Sequence, residues 1–350
     1  MHGGDVWQGG APSDWLYFSA NIRPEGAPEW VRRAMLEGME NVCYYPDPQM
    51  RRARIALAEY LGLDENCVLP TAGGISAIAM AARLPAMGMR AFTPCFGEYG
   101  QMAALQGMQM EEISLLRARH AILRPLEALH GRDIEGCALW LCNPLNPVGI
   151  AFSTAEIGEL LECVEAERGW LIVDEAFIEF APEHSVRSLI GRHERLIVTG
   201  SMTKALGIPG VRLGYLCAQP QLLRALGCAQ LTWELNAFAE AVLCALPGHA
   251  DMLRADAEKN AERREWLRTG LEALGAFVYP SGANFLLADF GRSVAPVAAR
   301  LHRSGILVRN CMDFSGVDDG RHLRLAVKGE AANRRLLEEL KGALECAENH

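Results

Sequence analysis

The sequence predicts an α/β protein in which a mainly parallel sheet is covered by helices and followed by a smaller α+β unit. Three observations predict it. Short apolar runs at 138–142, 170–173, 196–198 and 212–217 read as buried strands. Helical stretches separate them: in 153–168, Ile157, Leu160, Leu161 and Val164 share one face, and Ser153 or Thr154 can serve as N-cap. After residue 250 the rhythm changes to a long charged helix at 255–274, strands at 284–289 and 322–327, and a leucine-periodic helix at 330–346. Strand–helix alternation in the first part implies right-handed crossovers and a parallel sheet. The expected organisation is an N-terminal arm (1–40) too short to fold alone and packing on the smaller unit, a large unit (41–249) and a small one (250–350).

Composition narrows the function. The chain has 350 residues, half of them apolar and 22% charged, which excludes a disordered chain and supports a sizeable core. A net charge of −9 with no basic tail argues against a dedicated nucleic-acid binder. Eleven cysteines are an odd number with no CxxC pair, as expected of reduced thiols in a cytoplasmic protein. The richest apolar run, 75–87, is broken by Arg83 and Pro85, so no membrane partner is expected. The first ten residues carry no signal-peptide core, and no metal is called for.

The strongest chemical signal is Ser201-Met-Thr-Lys204, followed by Ile208-Pro-Gly-Val-Arg212-Leu-Gly-Tyr215. A lysine just past a buried strand is costly to keep charged and idle, and one productive use is a Schiff base with a cofactor aldehyde. Ser201 and Arg212 offer a hydroxyl and a bidentate cation, which suit a phosphate. Taken alone, a surface Lys and Arg on a loop is the plain alternative.

Val173-Asp174-Glu175-Ala176-Phe177 closes an apolar strand. At the C-terminal end of a parallel strand a carboxylate faces the ligand crevice, where it can keep a pyridine nitrogen protonated; an Asp capping the next helix is the plain alternative. Asn143-Pro-Leu-Asn146-Pro-Val-Gly149 forms a fixed turn from which Asn146 can donate to a ligand oxygen. Thr71-Ala-Gly73-Gly74-Ile75-Ser76 joins a strand to a helix, where glycines expose backbone N–H groups to an anion. In Pro94-Cys-Phe96-Gly-Glu98-Tyr99, Phe96 reads as core and Tyr99 as the ring that can stack on a flat ligand.

Together and in this order, the motifs NPLNPVG, DEAF, SMTK and RLGY resemble those of the fold-type-I pyridoxal-phosphate enzymes, the aminotransferase class I/II superfamily, over nearly the whole chain. The resemblance implies a fold-type-I α/β architecture, pyridoxal 5′-phosphate as cofactor, and a homodimer with shared active sites. It implies that Lys204 carries the cofactor aldehyde, Asp174 pairs with the ring nitrogen, Asn146 meets the ring oxygen and Tyr99 stacks. Gly74, Ile75, Ser201 and Arg212 would hold the phosphate. Tyr45, in Tyr44-Tyr45-Pro46-Asp47-Pro48, would reach the neighbouring subunit's cofactor, and Arg324 would grip a substrate α-carboxylate.

Within the superfamily, His2-Gly-Gly4, Phe18-Ser-Ala-Asn21, DEAF and Ile306-Leu-Val-Arg309-Asn-Cys311 resemble the L-threonine-O-3-phosphate decarboxylase branch. That branch makes (R)-1-amino-2-propanol O-2-phosphate for cobalamin. By that resemblance His2, Asn21 and Arg309 surround a phosphate on an amino-acid substrate. The histidinol-phosphate aminotransferase branch shares the YPDP segment and a phosphorylated substrate but usually carries DEAY. The chain departs from the family pattern at the phosphate loop (TAGGIS), at Gly200 in place of the usual Arg, at Val148, and at Glu234 where the decarboxylases tend to have Ser. A carboxylate at 234 would repel a phosphate unless paired or turned away.

Overall fold

The computed structural model describes residues 6–7 and 11–348. In chain order the strands are β1 (Leu16–Tyr17), β2 (Val68–Thr71), β3 (Met89–Thr93), β4 (Met110–Ser114), β5 (Ala138–Cys142), β6 (Trp170–Glu175), β7 (Leu196–Ser201), β8 (Gly214–Cys217), β9 (Phe277–Val278), β10 (Phe285–Asp289), β11 (Ile306–Leu307), β12 (Arg309–Asn310) and β13 (His322–Ala326).

Seven of them form the main sheet in the order β2-β8-β7-β6-β5-β3-β4, with β8 alone running against the rest. Its middle strands carry no polar side until their C-terminal ends: Leu139, Leu141, Ile172, Val173, Ile197 and Val198 are fully buried. Each such side chain contributes about 1.5–3 kcal/mol of transfer free energy, which is why a two-face-covered sheet reads as uninterrupted apolar runs. Because β3, β5, β6 and β7 are parallel, Thr93, Cys142, Asp174–Glu175 and Ser201 all emerge along one edge, the edge where α/β sheets bind ligands.

The connecting helix expected at 153–168 spans Thr154–Ala166. Ser153 is its N-cap: its side chain accepts from Glu156 N–H while the Glu156 carboxylate returns to Ser153. The run expected as a strand from 212 begins only at Gly214, because Arg212 sits in the left-handed region at φ 59°. The charged helix expected from 255 begins earlier, at Ala250.

A second sheet, β12-β13-β10-β9, carries its own core of Leu286, Ala288, Leu323 and Leu325, covered by Leu336 and Leu340 of the helix Glu330–Glu348. The described part of the first forty residues divides between the two cores. Phe18 is buried in the second one, beside the parallel pairing of β1 with β11, whereas Val31 and Ala34 of the helix Glu29–Met39 are buried in the first. An amphipathic helix goes where its apolar stripe is covered, and for 29–39 that cover is the helix Ala237–Ala245, which comes so close that a side chain at Gly38 would meet the backbone oxygen of Ala237 at 2.9 Å.

The glycine at position 200 has a packing reason. Gly200 lies opposite Tyr215 across β7 and β8, and a Cβ there would fall inside the buried Tyr215 ring. The aromatic ring occupies the space that any side chain at 200 would need. Among the described residues no helix is long and apolar enough to cross a membrane.

Candidate active site

The floor of the crevice is Asp174. It is buried, and its carboxylate accepts from Tyr99 Oη–H at 2.5 Å, from Ala176 N–H at 3.1 Å and from Thr199 Oγ1–H at 3.4 Å. Burial pushes its acidity toward weaker acid, although those donors and the charge of Lys204 pull the other way. Lys204 follows β7, its Nζ 3.4 Å from Ser201 Oγ and 4.9 Å above the Phe177 ring. Loss of water lowers the pKa of its ammonium, against the attraction of Asp174. Desolvation thus disfavours the charged form of both groups and makes each the other's natural counter-charge.

Gly74, Ile75, Asn146, Asp174, Ser201, Lys204 and Arg212 line one cavity of about 230 Å³, together with Phe96, Ala176 and Phe177. Its anion end is built from backbone. Gly73 sits at φ +86°, and a Cβ there would meet the Arg212 guanidinium at 2.5 Å, so the cation lies directly against the turn that opens the helix Gly74–Ala81. Free helix N–H groups, Ser201 and a guanidinium form a donor set for a dianion.

An adjoining cavity of about 510 Å³ shares Lys204, Asn146 and Arg212 and adds Asn21, Arg309 and Arg324. Arg324 is buried; its Nη1–H donates to Asn146 Oδ1 at 2.7 Å and its Nη2–H to the Ser19 carbonyl at 2.9 Å, while its buried Nε has no protein partner. Burial lowers its pKa to about 10, so it remains a cation in neutral solution. Arg309 donates from Nη2 to both carboxylate oxygens of Asp313, at 2.7 and 2.6 Å. The buried Asn21 has an unpartnered Oδ1, and its own carbonyl is held by Asn284 Nδ2–H.

Two expectations need correction or relocation. Tyr99 does not line either cavity: it is fully buried, stacked on Trp140 at 5.1 Å, and its hydroxyl is spent on Asp174. It lies in the helix Glu98–Leu105, one turn too deep, whereas Phe96 in the preceding loop lines both cavities, as Phe177 does. An apolar ring after a strand usually reads as core; the signal that sets Phe96 apart is its place immediately after Pro94-Cys95 at the C-terminal end of β3. Tyr45 lies apart from this crevice within the chain: it is 79% exposed and stacks on Trp233 at 4.4 Å. His2 lies outside the described residues.

The family model "Aminotransferase class I and II" matches residues 13–340. The chain belongs to that family. Pyridoxal 5′-phosphate is its cofactor, and the fold is that of the type-I pyridoxal-phosphate transferases. The chain is similar to a threonine-phosphate decarboxylase of Salmonella typhimurium, at 32% identity over 98% of this chain and 96% of that one. It is also similar to a histidinol-phosphate aminotransferase of Symbiobacterium thermophilum, at 31% identity over 95% and 91%. Among solved structures, the histidinol-phosphate aminotransferase from Clostridium acetobutylicum superposes with a TM-score of 0.86 at 26% identity, covering 93% of this chain and 98% of that one.

The residues present fit the cofactor. A buried acid at the floor, an amine beside it and a glycine cradle under a guanidinium match the ring nitrogen, the aldehyde and the phosphate of one flat molecule. One measurement follows from the state of Lys204. Below its midpoint Nζ is protonated and inert; above it the free amine reacts. Uptake of pyridoxal phosphate by the stripped protein, followed by absorbance, is therefore expected to quicken with pH and level off clearly below 10.5, the ordinary lysine value. A rate still climbing through pH 10.5 would contradict the buried, deprotonation-prone amine.

Proposed function

We propose that the protein decarboxylates L-threonine O-3-phosphate to (R)-1-amino-2-propanol O-2-phosphate, as a cytoplasmic homodimer with active sites shared between subunits. The observation that carries the reading is the second arginine. Arg324 is the carboxylate holder that an amino-acid site needs, and Arg309 adds another guanidinium in the same cavity, with Asn21 beside it. Two anion holders in the same cavity as one amine suit a substrate that carries two anionic groups. The resemblance of the N-terminal segment adds His2 to the phosphate side, and the 32% identical Salmonella decarboxylase supports the same substrate class.

When bound, pyridoxal phosphate supplies an electron-accepting ring that stabilises the carbanion left after a bond to the substrate α-carbon breaks. Asp174 keeps a proton on the ring nitrogen, and Tyr99 holds Asp174. Phe96 takes the stacking role first given to Tyr99. Arg324 and Arg309 grip opposite ends of the substrate and thereby fix its rotation about the bonds to the α-carbon. The bond to the carboxylate then stands in the orientation that lets CO₂ leave. Lys204, with its lowered proton affinity, delivers to that carbon the proton that replaces CO₂. Phe177 gives the site a ring without a hydroxyl beneath Nζ, where an aminotransferase of the histidinol-phosphate type would carry Tyr.

The aminotransferase reading is the alternative, favoured by the 31% identical relative and by the 0.86 superposition. The two predict different products. With L-threonine O-3-phosphate, pyridoxal phosphate and no keto acid, purified protein is expected to release CO₂. Absence of CO₂ together with glutamate formation from 2-oxoglutarate and a phosphorylated amine would replace this function with the other.

Asp313 refines the prediction. Burial raises the proton affinity of its carboxyl, but the hydrogen bonds and charge of Arg309 more than offset this and hold it ionised. A substrate phosphate must compete with that carboxylate for Arg309. Asp313→Asn is expected to lower KM for the phosphorylated substrate by roughly 1.5- to 5-fold, the range of a partly exposed ion pair, with a smaller change in kcat. An unchanged or raised KM would remove Arg309 as the phosphate's partner.

A further inference from the structure

Glu234 lies in the segment joining the helices Pro220–Gly227 and Ala237–Ala245, and its carboxylate reaches across to the phosphate cradle. Oε1 accepts from the backbone N–H of Ala72 at 2.9 Å and from the Ser76 hydroxyl, which flank the turn carrying Gly73, Gly74 and Ile75. The same segment is fastened a second time where Gln230 Nε2–H donates to the Pro70 carbonyl at 2.7 Å. On the opposite side the turn has no slack. A Cβ at Gly214 would meet Gly73 C and Gly74 N at 2.5 Å, so β8 packs directly against the cradle backbone. Thr71 Oγ1–H also closes the turn from within, onto the Gly73 carbonyl at 3.0 Å.

A cradle made of backbone N–H groups works only if those groups stay aimed at one point, and a glycine pair has the least intrinsic resistance to drifting. Glu234 brings a negative charge toward the end of the site that receives a dianion, a placement that would be unfavourable if the carboxylate were idle. Both of its partners are neutral donors belonging to the cradle.

The geometry points to Glu234 as a positioning residue for the cofactor. By clamping Ala72 and Ser76 it holds the Gly73–Ile75 turn in register with Ser201 and Arg212, and so sets the affinity for the phosphorylated form of the cofactor in particular. The inference rests on the cofactor assignment above. What matters is an acceptor oxygen at this reach rather than its charge.

The test compares pyridoxal 5′-phosphate with pyridoxal, which lacks the phosphate, as ligands of the full-length stripped protein. Glu234→Ala is expected to raise Kd for the phosphorylated form by ~10-fold or more, the effect of losing a two-bond clamp, and to change Kd for pyridoxal less than about 2-fold. Glu234→Gln, which keeps an acceptor oxygen at the same reach, is expected to stay within about 3-fold of the parent for both ligands. Equal losses for both ligands in Glu234→Ala would reduce Glu234 to general structural support and overturn the inference, as would a Gln variant no better than Ala. Failure of the parent protein to bind pyridoxal phosphate would instead overturn the cofactor assignment. A thermal melt of each stripped variant separates misfolding from a weakened cradle.

Discussion

A carboxylate and an amine, Asp174 and Lys204, share one desolvated floor, and the surrounding structure is arranged to keep them there. Neither group would remain charged in such a place alone. Burial weakens the acid and lowers the pKa of the ammonium, and each offsets the other's penalty. The arrangement follows from strand register. β6 and β7 are parallel neighbours with Asp174 opposite Thr199, so the Thr199 hydroxyl is beside the carboxylate, and the lysine emerges just past the end of β7. Tyr99 completes the floor from the helix behind it.

Two cavities that share lining residues open above that floor, with distinct characters. The smaller is a slot with an acid at one end and a glycine cradle under a guanidinium at the other, the shape and charge of a flat phosphorylated cofactor. The larger opens beside it and brings Arg309 and Arg324, partners across β12 and β13, into the same cavity as Lys204. Asn146 belongs to both, through its bond to Arg324, and so links cofactor and substrate positions. In the proposed reaction, the choice between losing CO₂ and losing a proton is a matter of which substrate bond the two arginines hold upright.

The sequence made much of this legible, for physical reasons. Buried parallel strands have no polar face, so 138–142, 170–173 and 196–198 stood out, and the chemistry-bearing residues followed directly at their C-terminal ends. Lys204 and Asp174 could be read from their place just past buried strands, and Arg324 only from the family resemblance. Relations across the fold could not. Phe96 and Tyr99 differ by three positions and by a turn of helix, and nothing local says which of the two rings reaches the cavity. Gly200 stands where relatives usually carry an arginine because the Tyr215 ring on the next strand takes the space a side chain would need. Glu234 looked repulsive because its partners, Ala72 and Ser76, lie some 160 residues earlier in the chain.

The central claim is covalent and has one direct test. The protein loaded with pyridoxal phosphate is reduced with borohydride, digested and mapped by mass spectrometry. The account predicts a single pyridoxyl label on Lys204, abolished in Lys204→Ala. A label on another lysine, or none in a protein that retains the cofactor's absorbance, would contradict it.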